Sequence, residues 1–401
     1  SCTNSYRSDR VAILKEYADY QWEMDPNFYV IFEHLGTNTE ETEWVNYKLN
    51  EGKGIMVWSN LNGAYNEATM GYNTSGKSDF SWIDYRKRGW TVPANVSYME
   101  SHDEERLMYK NINFGFTNSN YDVKSLNIGL QRMEALNALM LLIPGAKMYW
   151  QFGELGYDFS INTCDNGTTV SNDCRLSRKP IKWDYENDVN RKQIYNTWAT
   201  MIAFKKQYPE VFNTSNFTLN VGSLTKSIVL KHASFDVIII GNFDISSKSV
   251  TTNFTKTGTW YEYFSGEEKN VSTTTQSISL NPGEYKMYAT KRLLDPRGGT
   301  ELDDSDGDGV FDTDDLCPNT PLGQDVNVTG CPIFTLSATN FTIETIGETF
   351  KKVQARTGIK GKDLFMPIRV ATTGQMKGPD LKTSLFLIGK ELIIGRTKKY
   401  T

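Results

Sequence analysis

The sequence predicts an α/β chain: half of a (β/α)8 barrel, then an all-β sandwich, an acidic loop region and a short helical tail. Three observations carry that reading. Before residue 154, helical spacing alternates four times with short apolar runs, the pattern of parallel strands joined by crossover helices. Residues 213–292 change to Thr, Ser, Val and Ile in alternating runs, the period of strands with one buried face. Residues 293–332 are dominated by Asp, Gly and Pro, and beyond Phe350 the chain turns basic.

Val11, Leu14, Tyr17, Ala18 and Trp22 recur at helical spacing over residues 10–24, and Asp25-Pro26 stops that helix. FYVIF predicts a buried strand ending at Glu33. Residues 40–50 predict a helix, GIMVW a strand, residues 77–89 a helix and NVSYM a strand. SLNIGLQRMEALNALMLL is a long helix, and AKMYWQF is a fourth strand ending at Gly153-Glu154. Residues 191–207 add one more amphipathic helix. Four strands are half of an eight-stranded barrel, so sheet edges and apolar faces should be bare unless something complements them. SIVLKH, DVIIIGNF, WYEYF and YKMYAT then supply β-domain strands.

At 401 residues and 39% hydrophobic, the chain is long enough for two or more cored domains. Nine Trp and 21 Tyr suit stacking on sugars or filling a large core. The net charge of −5 argues against a nucleic-acid-binding protein as a whole. From Glu348 onward, however, twelve Lys/Arg face four Asp/Glu. Cys164 and Cys174, and Cys317 and Cys331, are close pairs in loop-like surroundings and predict two local disulfides in an exported protein; Cys2 is left over. No run approaches 18 apolar residues, so no membrane span is expected. Ser1 reads as a processed or truncated end.

The stretch NVSYMESHDEERL, residues 95–107, turns from an apolar run straight into charge. That is either a solvated loop or a reactive cluster at the C-terminal end of a barrel strand, where barrel enzymes keep their chemistry. Glu33-His34 follow the first strand, His102-Asp103 the third, and Glu154 the fourth. Glu33 and Asp103 would face the same end of a barrel, where two carboxylates can divide acid and base work.

These motifs resemble a known family. YVIFEHL, VSYMESHDEERLMYKN, and GELGYDFSIN followed by RLSRKPIKWDY are similar to the second half of the alpha-amylase family of glycoside hydrolases. The resemblance covers roughly residues 5–292, including a β domain ending LNPGEYKMYATKRL, and SHDEERL matches the family motif in which a His-Asp pair follows strand seven. It implies the C-terminal half of a TIM barrel, strands five to eight, and retaining hydrolysis of α-1,4-glucans such as starch through a glycosyl-enzyme intermediate. By the same resemblance Glu33 is the general acid/base. Asp103 holds substrate hydroxyls and stabilises the oxocarbenium-like transition state, His102 binds the same sugar, and His34 faces the sugar or supports the site. Trp58, Tyr98 and Trp150 supply stacking surface or core packing.

The chain departs from that pattern at the nucleophile. The family places an Asp at the end of strand four, two residues after an Arg, and neither strand three nor strand four is present. Arg7-Ser8-Asp9 mimics the spacing, but the residues after Asp9 read as helix. The expectation is therefore an alpha-amylase-like chain truncated before Ser1, with its nucleophile missing; a catalytically inactive glucan-binding fragment is the alternative.

Asp304, Asp306, Asp308, Asp312 and Asp315 fall at positions 1, 3, 5, 9 and 12 of a loop, with Gly309 at position 6 and the Val310 carbonyl at position 7. Hard oxygen ligands at alternate positions, with Gly at the turn, make a calcium loop. With CPNTPLGQDVNVTGC behind it, the loop resembles a thrombospondin type 3 repeat, which implies a stiff calcium-bound spacer and a secreted or cell-surface protein. FKKVQARTGIKGKDLFMPIRVATTGQMKGPDL resembles the C-terminal end of bacterial glutamyl-tRNA synthetases, which implies contact with a tRNA anticodon arm through this segment alone. No ATP-binding motif accompanies it, so aminoacylation is not expected, and a seam is expected near Gly347 to Phe350. The expected organisation is a partial barrel over 1–208, the β domain over 209–292, the calcium repeat over 293–332, a spacer over 333–347 and the synthetase-like segment over 348–401.

Overall fold

Helix α1 (Ser8–Met24) buries Val11, Ala18 and Trp22 and stops at the expected Asp25-Pro26. The computed structural model describes residues 5–297, 317, 320, 341–375, 377–389 and 393, and the chain divides into two units, residues 1–301 and 302–401. In the first unit α1 is followed by β1 (Ile31–Phe32), α2 (Asn38–Val45), β2 (Met56–Asn60), α3 (Asn62–Met70), β3 (Asn95–Tyr98), α4 (Leu107–Phe114), α5 (Leu126–Leu142), β4 (Lys147–Met148) and α6 (Val189–Gln207).

The four strands pair in the order β1-β2-β3-β4, all parallel, as the repeated crossover pattern requires. The described residues form an open sheet, not a closed barrel, and its edge strands β1 and β4 are only two residues long. β2 and β3, each with a neighbour on both sides, run longer. Helix α5 is buried almost all round, which suits its near-continuous apolar sequence.

The expected helix over 77–89 is instead two short 3₁₀ turns, Ser81–Ile83 and Tyr85–Arg88. The cause is local. The Asp79 and Asp84 carboxylates accept the backbone N–H groups of Ser81 at 2.7 Å and Arg86 at 2.9 Å, so the chain closes Asp-led turns in place of a helical ladder.

After α7 (Pro209–Phe212) come β5 (Phe217–Asn220), β6 (Thr225–Leu230), β7 (Val237–Asn242), β8 (Lys248–Asn253), β9 (Gly258–Glu262), β10 (Glu268–Val271), β11 (Thr275–Leu280) and β12 (Tyr285–Ala289). They form a six-stranded antiparallel sheet, β10-β9-β12-β7-β6-β5, and a two-stranded sheet, β11-β8. β7 is buried on both faces, and the period of two sorts its residues. Ile238 and Ile240 join Val250, Phe254, Trp260 and Leu280 inside the sandwich, while Val237 and Ile239 join the core that contains α5. Two buried basic side chains sew the same boundary. Arg132 of α5 donates to the carbonyls of Thr69 and Ala68, at the end of α3, and to that of Phe243. Lys226 Nζ donates to the carbonyls of Ser78 at 2.9 Å, Val221 at 2.8 Å and Ser223 at 2.9 Å.

In the second unit α8 (Ile343–Thr357), α9 (Lys362–Thr373) and α10 (Leu381–Ile388) gather around Ile346, Leu381, Leu385 and Ile393. Thr342 and Thr345 form a capping box at the start of α8, which therefore begins inside the stretch expected to be a spacer. The loop from Asp304 to Asp315 with its expected ligands (Asp304, Asp306, Asp308, Val310, Asp312, Asp315), and Cys331, lie outside the described residues.

Candidate active site

A parallel sheet puts all its strand C-termini on one side. Glu33 follows β1, His102 and Asp103 follow β3, and Trp150 follows β4, so all four reach the same end of the sheet. The residues between β3 and α4 explain which of the charges are free to act. Glu100 is buried and accepts the backbone N–H of Leu107 at 2.6 Å, capping the start of α4. Glu104 accepts from Asn60 of β2 and from Ser101. Glu105 takes the Ser160 hydroxyl at 2.7 Å and the Ile161 N–H at 2.8 Å, tying down the loop after β4. Arg106 is buried and donates to the carbonyls of Ser101 and Glu104. His102 and Asp103 alone in this run remain exposed.

These two meet Glu33. His102 Nε2 lies 3.9 Å from Glu33 Oε1 and 3.5 Å from Asp103 Oδ2, and one ligand atom from each of the three residues falls within 4.8 Å of the others. Aromatic rings wall the trio. The Trp58 and Trp150 rings are each 5.9 Å from the His102 ring and are half-buried. Tyr98 is fully buried, packs edge-on to Trp58 at 5.4 Å and is a core residue. Two carboxylates, an imidazole and two indole faces suit a neutral polyhydroxylated ligand, which needs both hydroxyl partners and apolar stacking faces. The trio also has the donor set for a cation, although Arg175 already neutralises Asp103.

His34, expected to face the sugar or support the site, does not join the trio. Its Nε2 sits 2.9 Å from Glu40 and its Nδ1 3.1 Å from Glu41, and its ring packs edge-on to Trp44 at 4.7 Å. Arg10 holds Glu40 at 2.7 Å and Arg88 holds Glu41 at 2.8 Å, so His34 completes a structural ion-pair network under α2. Asp9 stands exposed in the first turn of α1, bonded to Arg7, whose guanidinium holds its carboxyl down at about 2. Its helical setting is the one its following residues predicted.

Arg175 escaped sequence reasoning. Its Nη2 donates to the Asp103 carbonyl at 2.6 Å and to Oδ1 at 3.1 Å. It arrives there because the expected Cys164–Cys174 disulfide closes the loop immediately before it. Only the 72-residue separation of the partners, which no local pattern reveals, hid the contact. Glu154, at the fourth strand end, is half-buried beside Trp150, and burial pushes its carboxyl up from the ordinary range.

Comparison with known proteins separates the two units. The structure is similar to a crystal structure of an Anoxybacillus alpha-amylase, with a TM-score of 0.50 and 12% sequence identity, covering 71% of this chain and 57% of that one. Residues 334–401 match the family model for an anticodon binding domain. Fifty-five residues are 58% identical to a glutamate–tRNA ligase of Staphylococcus xylosus, spanning 14% of this chain and 46% of the relative. A glutamate–tRNA ligase of Staphylococcus saprophyticus is equally identical over the same length, which is 11% of that protein. The chain thus covers just over half of the amylase it matches and less than half of either ligase. Its fold is similar to that of the alpha-amylase, and its C-terminal segment is similar to the anticodon binding domain and to glutamate–tRNA ligases.

Proposed function

We propose that the first unit is an α-1,4-glucan-binding module of the alpha-amylase type. Glu33 is its general acid/base, and Asp103 and His102 hold the hydroxyls of the sugar at the cleavage point. The observation that carries this reading is the convergence of Glu33, His102 and Asp103 between Trp58 and Trp150 at one end of the parallel sheet. Retaining hydrolysis needs a second carboxylate to attack the anomeric carbon from the face opposite the acid. Asp103 is instead committed to Arg175 and, in this reading, to substrate hydroxyls, and Asp9 is committed to Arg7. The chain therefore binds glucan, and turnover needs a nucleophile beyond this trio. The test is reducing-end release from soluble starch by the 401-residue chain, alongside maltose binding by calorimetry. Binding without release is expected, and His102→Ala should weaken it about ten-fold by removing a charge-capable hydroxyl partner. Release that Glu33→Gln abolishes would show a complete site and overturn the missing-nucleophile reading.

The outer parts of the chain complete the proposal. The alternating carboxylates from Asp304 to Asp315 supply the donor set of a calcium-binding spacer, and the Cys164–Cys174 disulfide suits a secreted or surface protein. A second reading concerns the C-terminal segment alone. Its match to the anticodon binding domain and its excess of Lys and Arg favour tRNA contact there.

A further inference from the structure

We propose that Arg175 is a positioning residue for Asp103 and that the Cys164–Cys174 disulfide is its switch: a dithiol that reduces this bond frees Arg175 and weakens glucan binding at the trio. The inference rests on the α-glucan reading above and adds a means of regulating that site.

The geometry starts at the Asp103 carboxylate, whose two oxygens have different neighbours. Oδ1 accepts from Arg175 Nη2 at 3.1 Å, and Oδ2 faces His102 Nε2 at 3.5 Å. The same Nη2 donates to the Asp103 carbonyl at 2.6 Å, so one guanidinium nitrogen spans backbone and side chain and sets the rotation of the carboxylate. The Asp103 N–H donates to Ser101 Oγ at 3.2 Å, which steadies the backbone alone. Arg175 thus decides whether Oδ2 stays turned towards His102.

The pair needs help to persist. Its side chains are 45% and 53% exposed, and an exposed ion pair gains little because a long side chain gives up rotamer freedom to make it. Fixing the backbone behind the arginine reduces that cost. The segment from Ser160 to Arg175 leaves and rejoins the turn between β3 and α4. Glu105 holds its start through the Ser160 hydroxyl and the Ile161 N–H, and Asp103 holds its end. The disulfide closes the neck between those two points and ends at the residue before Arg175. The rest of the neck is hydrogen-bonded loop: Cys164 N–H to the Thr169 carbonyl, Ser171 N–H to that of Asn162, and Lys179 Nζ to those of Thr163 and Cys174.

Both cysteines are half-exposed, so a small thiol reaches them. One sulfur of the dithiol attacks a cysteine sulfur, breaks the S–S bond and leaves the other cysteine as a thiol. The second sulfur then displaces the mixed disulfide. Both cysteines end reduced, and the dithiol, having given two electrons, ends as a disulfide. Arg175 then has a looser backbone behind it, and the sugar must order the Asp103 carboxylate by itself.

Calorimetry of maltose binding by the full chain tests this. Cys164→Ser with Cys174→Ser, and separately Arg175→Ala, should each lower affinity roughly five-fold, the upper range of one exposed ion pair. The serine pair isolates this bond, because dithiothreitol also acts on the disulfide at Cys317. The triple variant should bind no more weakly than Arg175→Ala, since the disulfide acts through that side chain. Arg175→Lys, with the disulfide intact, should recover part of the loss. Arg175 is exposed, so its replacements do not threaten folding. Wild-type affinity in Arg175→Ala or in the serine pair, or losses that multiply in the triple variant, would overturn the inference. If maltose binding then still depended on His102, the function proposed above would stand. If wild type bound no maltose, both readings would fall.

Discussion

Seven consecutive residues, Glu100 to Arg106, show how one strand end separates structural charge from usable charge. Five are buried or half-buried among backbone and neighbouring loops, and the two left exposed, Asp103 with Arg175 already paired to it, are the two that face Glu33. The sequence pattern was sufficient to place His102 and Asp103 because both follow directly from the end of a strand. It was not sufficient for His34, whose partners Glu40 and Glu41 come from a helix that turns back under it. Glu100 carries a testable consequence. Burial pushes its carboxyl up to about 7 from an ordinary 4.5, with Arg106 opposing the rise. The folded state then holds a proton that the unfolded state has released. The stability contributed by this group is present below about pH 4.5 and is lost as pH rises through about 7. In urea unfolding at pH 5 and pH 8, Glu100→Gln should flatten the pH dependence by on the order of 2–3 kcal/mol relative to wild type. An equal slope in both proteins would refute it.

At the scale of elements, apolar periodicity located every parallel strand but not its paired length. FYVIF is apolar over five residues and AKMYWQF at five of its seven, yet β1 and β4 pair over two. Ladder length depends on a neighbour on each side, and FYVIF is not the buried strand its apolarity predicted, since Phe28, Tyr29 and Ile31 stand exposed. Helix α3, NGAYNEATM, carried no helical stripe to detect because Asn62, Asn66 and Thr69 are buried polar residues bonded within the fold. In the tail, α8 begins inside the expected spacer because the Thr342–Thr345 capping box lies upstream of the basic run. That helix is also where the tRNA reading is tested. Lys351 and Lys352 both lie exposed on α8, in its basic run. If the segment binds tRNA, filter binding by the full chain should weaken steeply with salt. Replacing both with Glu should lower the magnitude of the salt slope by about 1 for each phosphate that is no longer neutralised. A slope unchanged by the double variant would count against binding through this face.

At the scale of the first unit, the parallel sheet and the β sandwich share one core, and Arg132 marks the join. Its guanidinium satisfies two carbonyls at the end of α3 and one just after β7. Arg132→Met keeps most of the packing volume but strands those buried acceptors, so it should cost about 3 kcal/mol in urea unfolding. Fluorescence from Trp58 in the sheet region and from Trp260 in the sandwich should still report one transition. Two separate transitions in wild type would show that the join does not couple the two parts. This half of the fold was hidden from the sequence, which marks a change of texture near Pro209 and so suggests a boundary. Strand β7 is the reason the boundary is only apparent. Its odd and even residues answer to different cores, so no cut between helix-rich and strand-rich residues leaves both sides closed. Anyone grafting this β region onto another catalytic scaffold would inherit half an interface. The transplantable unit runs from the first helix through the last sandwich strand, whatever the change of composition along the way suggests.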